Sequence, residues 1–210
     1  MEKERFEVLN KFMQENKGKR KFSQSVELSV NFKGIDFSKQ EERLNLEVQL
    51  PNGKGKEGKV IIFADDRNIT ESAKKMGVRV IGSSEIPSSA NDKAMLRDML
   101  KSELMAQPSL MPSIAKSLGQ FLGPRNKMPK PLIGSNIENA IKSSINSVQI
   151  RSKGKYLPTI HCIVGKESMD VEKIAQNIDA VMSLLSKKPG NAHIKSAYVK
   201  LTMSNPVKIV

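Results

Sequence analysis

The sequence predicts two domains of mixed class, α+β and α/β. Both ends of the chain form a split α+β domain, and a Rossmann-like three-layer α/β domain is inserted into it. Three observations carry this. Strictly alternating apolar and polar residues occur at 25–32 and 44–50, and again at 159–164 and 197–203. Such alternation marks strands with one buried and one wet face. Between these runs the pattern changes to continuous apolar stretches, Val60 to Ala64 and Val78 to Ile81, separated by a short helical segment. That is a compact βαβ unit whose strands are buried on both faces. The expected division is 1–58 with 149–210 for the split domain and 59–148 for the insert.

Each element has its own signal. In residues 2–14, Val8, Leu9, Phe12 and Met13 form one apolar stripe of a helix that Gly18 ends. On 25–32, Val26, Leu28, Val30 and Phe32 oppose Ser25, Glu27, Ser29 and Asn31. On 44–50, Leu44, Leu46, Val48 and Leu50 oppose Asn45, Glu47 and Gln49, and Pro51-Asn52-Gly53 breaks the chain. Asn68, with Glu71 three residues on, reads as the N-cap of a short helix that stops at Gly77. Met95, Leu96, Met99, Leu100 and Leu104 predict a helix over 92–104, and further helices are expected at 109–118 and 136–146 around a Pro/Gly-rich loop from Gly119 to Gly134. In 159–164, Ile160, Cys162 and Val164 oppose Thr159, His161 and Ile163. Val171, Ile174, Ala175, Ile178, Met182 and Leu185 hold the helical period over 170–187, with Asp170 at the start, Lys187-Lys188 at the end and Pro189-Gly190 as the stop. On 197–203, Val199, Leu201 and Met203 oppose Tyr198, Lys200 and Thr202.

Composition narrows the function. The 210 residues carry 35 Lys plus Arg against 22 Asp plus Glu, a net charge of +13. The excess is spread along the chain, with one dense run, Lys17-Gly18-Lys19-Arg20-Lys21. A single cysteine, Cys162, precludes an intrachain disulfide, and with two histidines, His161 and His193, it cannot form the usual structural zinc site. No metal and no cofactor is expected. The longest apolar run is far short of the ~20 residues that span a bilayer, and the N-terminus lacks an apolar signal region. The expectation is a basic intracellular protein without a membrane partner, for which nucleic acid is the first partner to consider.

Several motifs have plainer readings than the chemistry they suggest. Gly53-Lys54-Gly55-Lys56-Glu57-Gly58-Lys59 is nearly a P-loop, but Val60 stands where Ser or Thr is needed, and the motif precedes a strand instead of following one. A flexible basic linker is the better account. His161 and Cys162 are strand neighbours and face opposite sides, so they form no thiolate–imidazole pair. Seven Phe, two Tyr and no Trp leave little for a base-stacking platform. Most of the eleven Met fall at core spacing, with Met203 as the exception. The competing function is a nucleotide-binding enzyme using the inserted α/β segment. The βαβ unit motivates it, but no Gly-x-Gly-x-x-Gly follows Val60–Ala64, and Asp65-Asp66-Arg67 is a poor phosphate cradle.

The stretches Pro108-Ser109-Leu110-Met111-Pro112, Leu118-Gly119 and Leu122-Gly123-Pro124-Arg125-Asn126-Lys127-Met128-Pro129-Lys130-Pro131 resemble the signature of the large-ribosomal-subunit stalk protein, the L-one family, in wording closer to its archaeal members. Phe22, Ser25, Val26 and Glu27 resemble the family's N-terminal Phe-x-x-Thr-Val-Glu run. Leu50-Pro51-Asn52-Gly53 resembles its Leu-Pro-His-Gly turn, His161 with Val164-Gly165-Lys166 its His-x-x-Val-Gly-Lys, and Thr202-Met203 the start of its Thr-Met-Gly-Pro close.

The resemblance implies a non-enzymatic constituent of the large subunit, found in the cytoplasm on the ribosome and monomeric off it. It implies binding to a folded helical region of large-subunit rRNA, a mobile stalk near the exit-site tRNA, and repression of translation through the protein's own mRNA. The RNA-binding residues it implies are Lys21, Phe22, Ser25, Glu27, His161, Gly165, Lys166, Thr202, Met203 and Ser204. Glu27 would accept hydrogen bonds from a 2′-hydroxyl or a base amino group, because a carboxylate repels phosphate. Three positions depart from the family pattern. Ser204 replaces a glycine, where a Cβ would restrict a close approach or a left-handed turn. Asn126 also stands for glycine and suits a left-handed backbone. Asn52 replaces a histidine.

Overall fold

The computed structural model describes residues 3–37, 39, 42–56, 58–133, 136–152, 158–187 and 194–210. In chain order the elements begin α1 (Lys3–Asn16), β1 (Ser25–Phe32), β2 (Asn45–Gln49), β3 (Val60–Phe63), α2 (Arg67–Lys75), β4 (Arg79–Ile81), α3 (Ile86–Ser89), α4 (Lys93–Lys101) and β5 (Glu103–Ala106). They continue with α5 (Met111–Leu122), β6 (Lys130–Pro131), α6 (Ile137–Asn146), β7 (Ser147–Arg151), β8 (Thr159–Lys166), α7 (Val171–Lys187), β9 (Ile194–Leu201) and β10 (Val207–Lys208). The chain divides into two compact units, Met1–Lys56 with Asn146–Val210, and Glu57–Ile145.

The first unit is built on a four-stranded antiparallel sheet in the order β10-β9-β1-β8. β1 is a central strand, and its burial alternates residue by residue as its sequence does. Val26, Leu28, Val30 and Phe32 are buried, and they share one core with Leu9, Phe12 and Met13 of α1 and Ile174, Ile178, Val181 and Leu185 of α7. The helices therefore pack on the apolar face, and the polar residues of β1 keep partial exposure on the other. β2 and β7 pair as a separate two-stranded ladder that adds Val48, Val148 and Ile150 to this core. Val148, placed in the insert by its sequence neighbours, thus pairs with Val48 of β2.

Asn177 of α7 is fully buried among apolar residues. Its Nδ2 donates to the carbonyls of Val164 (2.8 Å) and Gly53 (2.9 Å), and its Oδ1 accepts from the Asn52 N–H (3.1 Å). A buried amide is retained because every one of these groups needs a partner. The 51–55 turn is therefore packed where a flexible linker was expected. Gly53 is left-handed (φ 65°), and a Cβ there would lie 2.8 Å from Asn146 Oδ1. Asn52 fits this turn in place of the family's histidine by donating to Gln176 Oε1 (2.7 Å) and the Lys173 carbonyl (3.2 Å).

The second unit is a parallel sheet in the order β4-β3-β5-β6. On one face Val60, Ile62 and Met105 pack with Ala73 of α2 and Ile137 and Ile141 of α6. On the other, Ile61, Phe63 and Leu104 pack with Met95 and Met99 of α4 and Ile114, Leu118 and Leu122 of α5. Helices on both faces explain the unbroken apolar run of β3.

Several expected boundaries are corrected. The cap of α2 is Asp66, not Asn68: the Asp66 carboxylate accepts from the Asn68 N–H at 2.8 Å. Gly77 does follow the helix in a left-handed conformation (φ 69°), with its N–H on the Lys74 carbonyl and the Val78 N–H on the Ala73 carbonyl, both at 3.0 Å. The helix expected over 92–104 stops at Lys101, and Leu104 lies in β5, paired with Ile61. A short apolar run has no period of its own to separate helix from buried strand. α5 runs past Gly119 to Leu122, because the helix surface at Gly119 is open and a glycine there costs only propensity. Within the expected 119–134 loop, Asn126 is the left-handed residue foreseen (φ 55°), and Lys127 N–H bonds the Leu122 carbonyl at 3.0 Å. The 130–131 segment forms β6, and β7 and β10 are further strands that the alternation did not reveal. Gly134, Lys188, Pro189-Gly190 and His193 lie outside the described residues.

Candidate nucleic-acid interface

The polar face of the four-stranded sheet is laid out in rungs by strand register. Glu27 of β1 sits between Ile163 of β8 and Lys200 of β9, and Ser29 between His161 and Tyr198. Asn31 sits between Thr159 and Ser196 and is bonded to both, accepting from Thr159 Oγ1 (2.9 Å) and donating to Ser196 Oγ (3.0 Å). That rung is closed on itself. Among the described residues the side chains of Glu27, Ser29, His161, Tyr198 and Lys200 have no such partner, so their polar groups are open to a ligand. Ile163 is 42% exposed and adds an apolar spot beside Glu27. A bulge in β8 opposite Val26 and Glu27 buries both Val164 and Gly165 and resets the alternation.

At one end of the sheet three segments converge. β9 ends at Leu201, and residues 202–204 turn, held by the Ser204 N–H to the Leu201 carbonyl (3.2 Å) and by Ser204 Oγ, which accepts from the Leu201 N–H (2.8 Å). Thr202 Oγ1 accepts from the Ser25 N–H (3.2 Å), tying the turn to the start of β1. Beneath them Gln24 is buried: its Oε1 accepts from the Met203 N–H (3.0 Å) and its Nε2 donates to Glu167 Oε2 (3.2 Å). The Glu167 N–H bonds the Gln24 carbonyl at 3.0 Å. Gln24 therefore locks the 202–204 turn to the end of β8, where Lys166 faces Ser25. Two large apolar side chains, Phe22 (50% exposed) and Met203 (57%), remain in solvent at this end. A cavity of about 370 Å³ opens there, lined by Asn16, Lys19, Arg20, Gln24, Met203 and Ser204.

Of the residues expected at an RNA site, Lys21, Phe22, Ser25, Lys166, Thr202, Met203 and Ser204 fall at this end, with Glu27 one rung in. His161 lies opposite Ser29, roughly 13 Å along β1 from Ser25 at the usual strand rise. Gly165 is buried and presents nothing to solvent; a Cβ on it would lie 3.1 Å from Met169 Sδ. Thr202 and Met203 were expected on opposite faces of a strand. They lie in the turn instead, which leaves both exposed. Ser204 has no left-handed backbone, so the serine suits the turn and its hydroxyl closes it. Gln24 and Glu167 were missed. Their signal, two polar residues beside strand ends that are otherwise apolar inward, appears only once the register is known.

The model of the Ribosomal protein L1p/L10e family matches residues 11–205. The chain belongs to the Ribosomal protein L1p/L10e family. Among similar proteins, the "Large ribosomal subunit protein uL1" of Thermococcus kodakarensis is 40% identical over 196 residues, 90% of this chain and 89% of that one. The protein of the same name from Pyrococcus abyssi is 41% identical over 196 residues, 90% and 88% of the two chains. That of Thermoplasma acidophilum is 39% identical over 202 residues, 94% and 92%. The archaeal character of the signature is thereby confirmed.

The family is structural and not enzymatic, which sets aside the nucleotide-binding enzyme. The geometry gives a physical reason. At the N-terminus of α2, where a Rossmann-type site would hold pyrophosphate, the Asp66 carboxylate already takes the cap position. Asp65 Oδ1 accepts from the Ser83 N–H at 2.8 Å, and its own N–H bonds Gln107 Oε1 at 3.3 Å. Two carboxylates at that sheet end repel a phosphate. Among the described residues no group of His, Cys, Asp and Glu is placed to hold a metal, and no helix is long and apolar enough to cross a membrane.

Proposed function

We propose that this chain is the stalk protein of the large ribosomal subunit, binding a folded helical region of large-subunit rRNA through the polar face and the open end of its four-stranded sheet. The observation that carries this is the convergence of 22–25, 166–167 and 202–204 on the buried Gln24, with Phe22 and Met203 left in solvent above a basic edge. A side chain buried to hold an exposed turn in one shape indicates that the turn is a recognition surface. Affinity comes from Lys and Arg contacts with phosphate, drawn from a net charge of +13. Choice of RNA comes from the neutral and acidic groups: Ser25, Glu27, His161 and the 202–204 turn offer acceptors and donors to 2′-hydroxyls and base edges.

In this reading the protein acts on the ribosome, in the cytoplasm, without a cofactor. It stands near the exit-site tRNA and represses its own synthesis when its mRNA presents the same RNA shape, and it is a monomer when free. Filter binding of a folded large-subunit rRNA fragment tests the core of it. Binding at about nanomolar Kd with a steep salt dependence is expected. Met203→Ala should cost on the order of 1–3 kcal/mol. Equal affinity for random RNA of the same length would defeat the proposal.

A further inference from the structure

The cavity beside the 202–204 turn is distinct in character from the sheet face. It lies between the C-terminal end of α1, the basic 17–21 run and the turn, with a volume of about 370 Å³. Pockets of roughly 300–1,000 Å³ enclose a single small molecule, so a duplex segment cannot enter. Its walls divide by chemistry. Gln24 and Ser204 are spent on holding the turn, with both ends of the Gln24 amide and the Ser204 hydroxyl bonded inside the protein. Asn16 donates Nδ2 to the Phe12 carbonyl at 2.9 Å, which fixes the side chain and leaves its Oδ1 as an acceptor. Lys19 and Arg20 are exposed and have no ion-pair partner among the described residues. Met203 supplies a polarisable apolar wall, held in place by its own N–H on Gln24.

Two unpaired cations, one fixed acceptor and one thioether surface match the parts of a nucleotide: phosphate, base amino group and base face. We propose that this pocket receives one unpaired nucleotide of the bound RNA, turned out of its helix, with its phosphate on Lys19 and Arg20, its base against Met203 and an exocyclic amino group on Asn16 Oδ1. This rests on the rRNA-binding reading above and adds to it. The sheet face recognises a folded helix, and the pocket checks that a particular position in it is unpaired. Turning a base out costs least where it is already unpaired, so the pocket discriminates against a fully paired helix.

The probe is the fragment of Thermococcus kodakarensis large-subunit rRNA that the protein protects from nuclease, with each unpaired nucleotide made abasic in turn. In the unaltered protein one position should lose about tenfold in Kd on base removal. In Asn16→Ala the same removal should cost only about threefold, because one of the base's two contacts, the other being Met203, is already gone. Arg20→Gln, which alters an exposed side chain with no partner, should weaken the intact fragment and lower the slope of log Kd on log salt by about one. If the fragment binds selectively but every abasic position costs the same in both proteins, the pocket assignment is overturned while the rRNA-binding function stands. If the protein does not select the fragment over scrambled RNA, both fall. A thermal-shift series with the four ribonucleoside 5′-monophosphates separates the remaining source: saturable binding of a free nucleotide with no abasic coupling would make the pocket a mononucleotide site and refute the RNA assignment.

Discussion

Replacing Gln24 by alanine tests how the 202–204 turn is held. The side chain is 2% exposed and makes two bonds that nothing else in the fold supplies, one from the Met203 N–H and one to the buried Glu167 carboxylate. A neutral bond contributes about 0.5–1.5 kcal/mol and one to a charged group about 1.5–3, so the loss should be about 2–4 kcal/mol. Most of it comes from leaving Glu167, 7% exposed, without its amide. Residues 57–145 contain no tyrosine, so urea unfolding followed by tyrosine fluorescence does not report the other unit. The double variant Gln24→Ala, Glu167→Ala should recover about 1–2 kcal/mol relative to the sum of the singles. RNA affinity should fall with Gln24→Ala although the side chain is almost wholly buried. A stability change under about 0.5 kcal/mol with unchanged RNA binding would refute the assignment of Gln24 as the lock.

Three further outcomes are expected. Asn177→Ala, which removes a fully buried amide and leaves three backbone groups without their partner, should destabilise the same unit by about 3 kcal/mol or more in the same unfolding assay. Asn126→Ala should cost the inserted unit about 1 kcal/mol more than Asn126→Gly, because both remove the side-chain amide and only alanine is strained by the left-handed backbone, as read by thermal melts of the two variants. Burial pushes the Cys162 thiol from 9.0 up to about 12, so the native protein should resist thiol reagents at pH 8 that label it at once in urea. Its folded value is raised, so its contribution to stability is complete below pH 9.0 and is lost as pH rises toward about 12. Cys162→Ala should flatten that alkaline decline.

What the sequence disclosed follows from where each element sits. β1 is central and covered on one side only, so its alternation mapped directly onto burial, and Ser25, Glu27 and His161 were found on the open face. The same logic failed at 202–203, because alternation continues past Leu201 while the backbone has turned; the Ser204 hydroxyl fixes that turn and leaves no mark on the hydropathy pattern. β5 was absorbed into the preceding helix, since a strand buried on both faces has no alternation to display. Asp66 displaced Asn68 as the cap of α2 because either residue can cap and only backbone conformation chooses. Gln24, Glu167 and Asn177 were invisible for a common reason. A polar residue buried by long-range partners looks like a surface residue until strands 143 residues apart, as Gln24 and Glu167 are, come together. Lys19 and Arg20 read as a solvated run until the cavity beside Met203 gave them a neighbour.

The central claim is that one end of one sheet selects a particular RNA. Ultraviolet crosslinking in cells, with both the RNA and the attached peptides identified, tests it most directly. The prediction is a single region of large-subunit rRNA, with the protein's own mRNA as a minor second, joined through peptides containing 19–27, 161–166 and 198–204. Crosslinks spread over unrelated RNAs, or joined through none of these peptides, would contradict it.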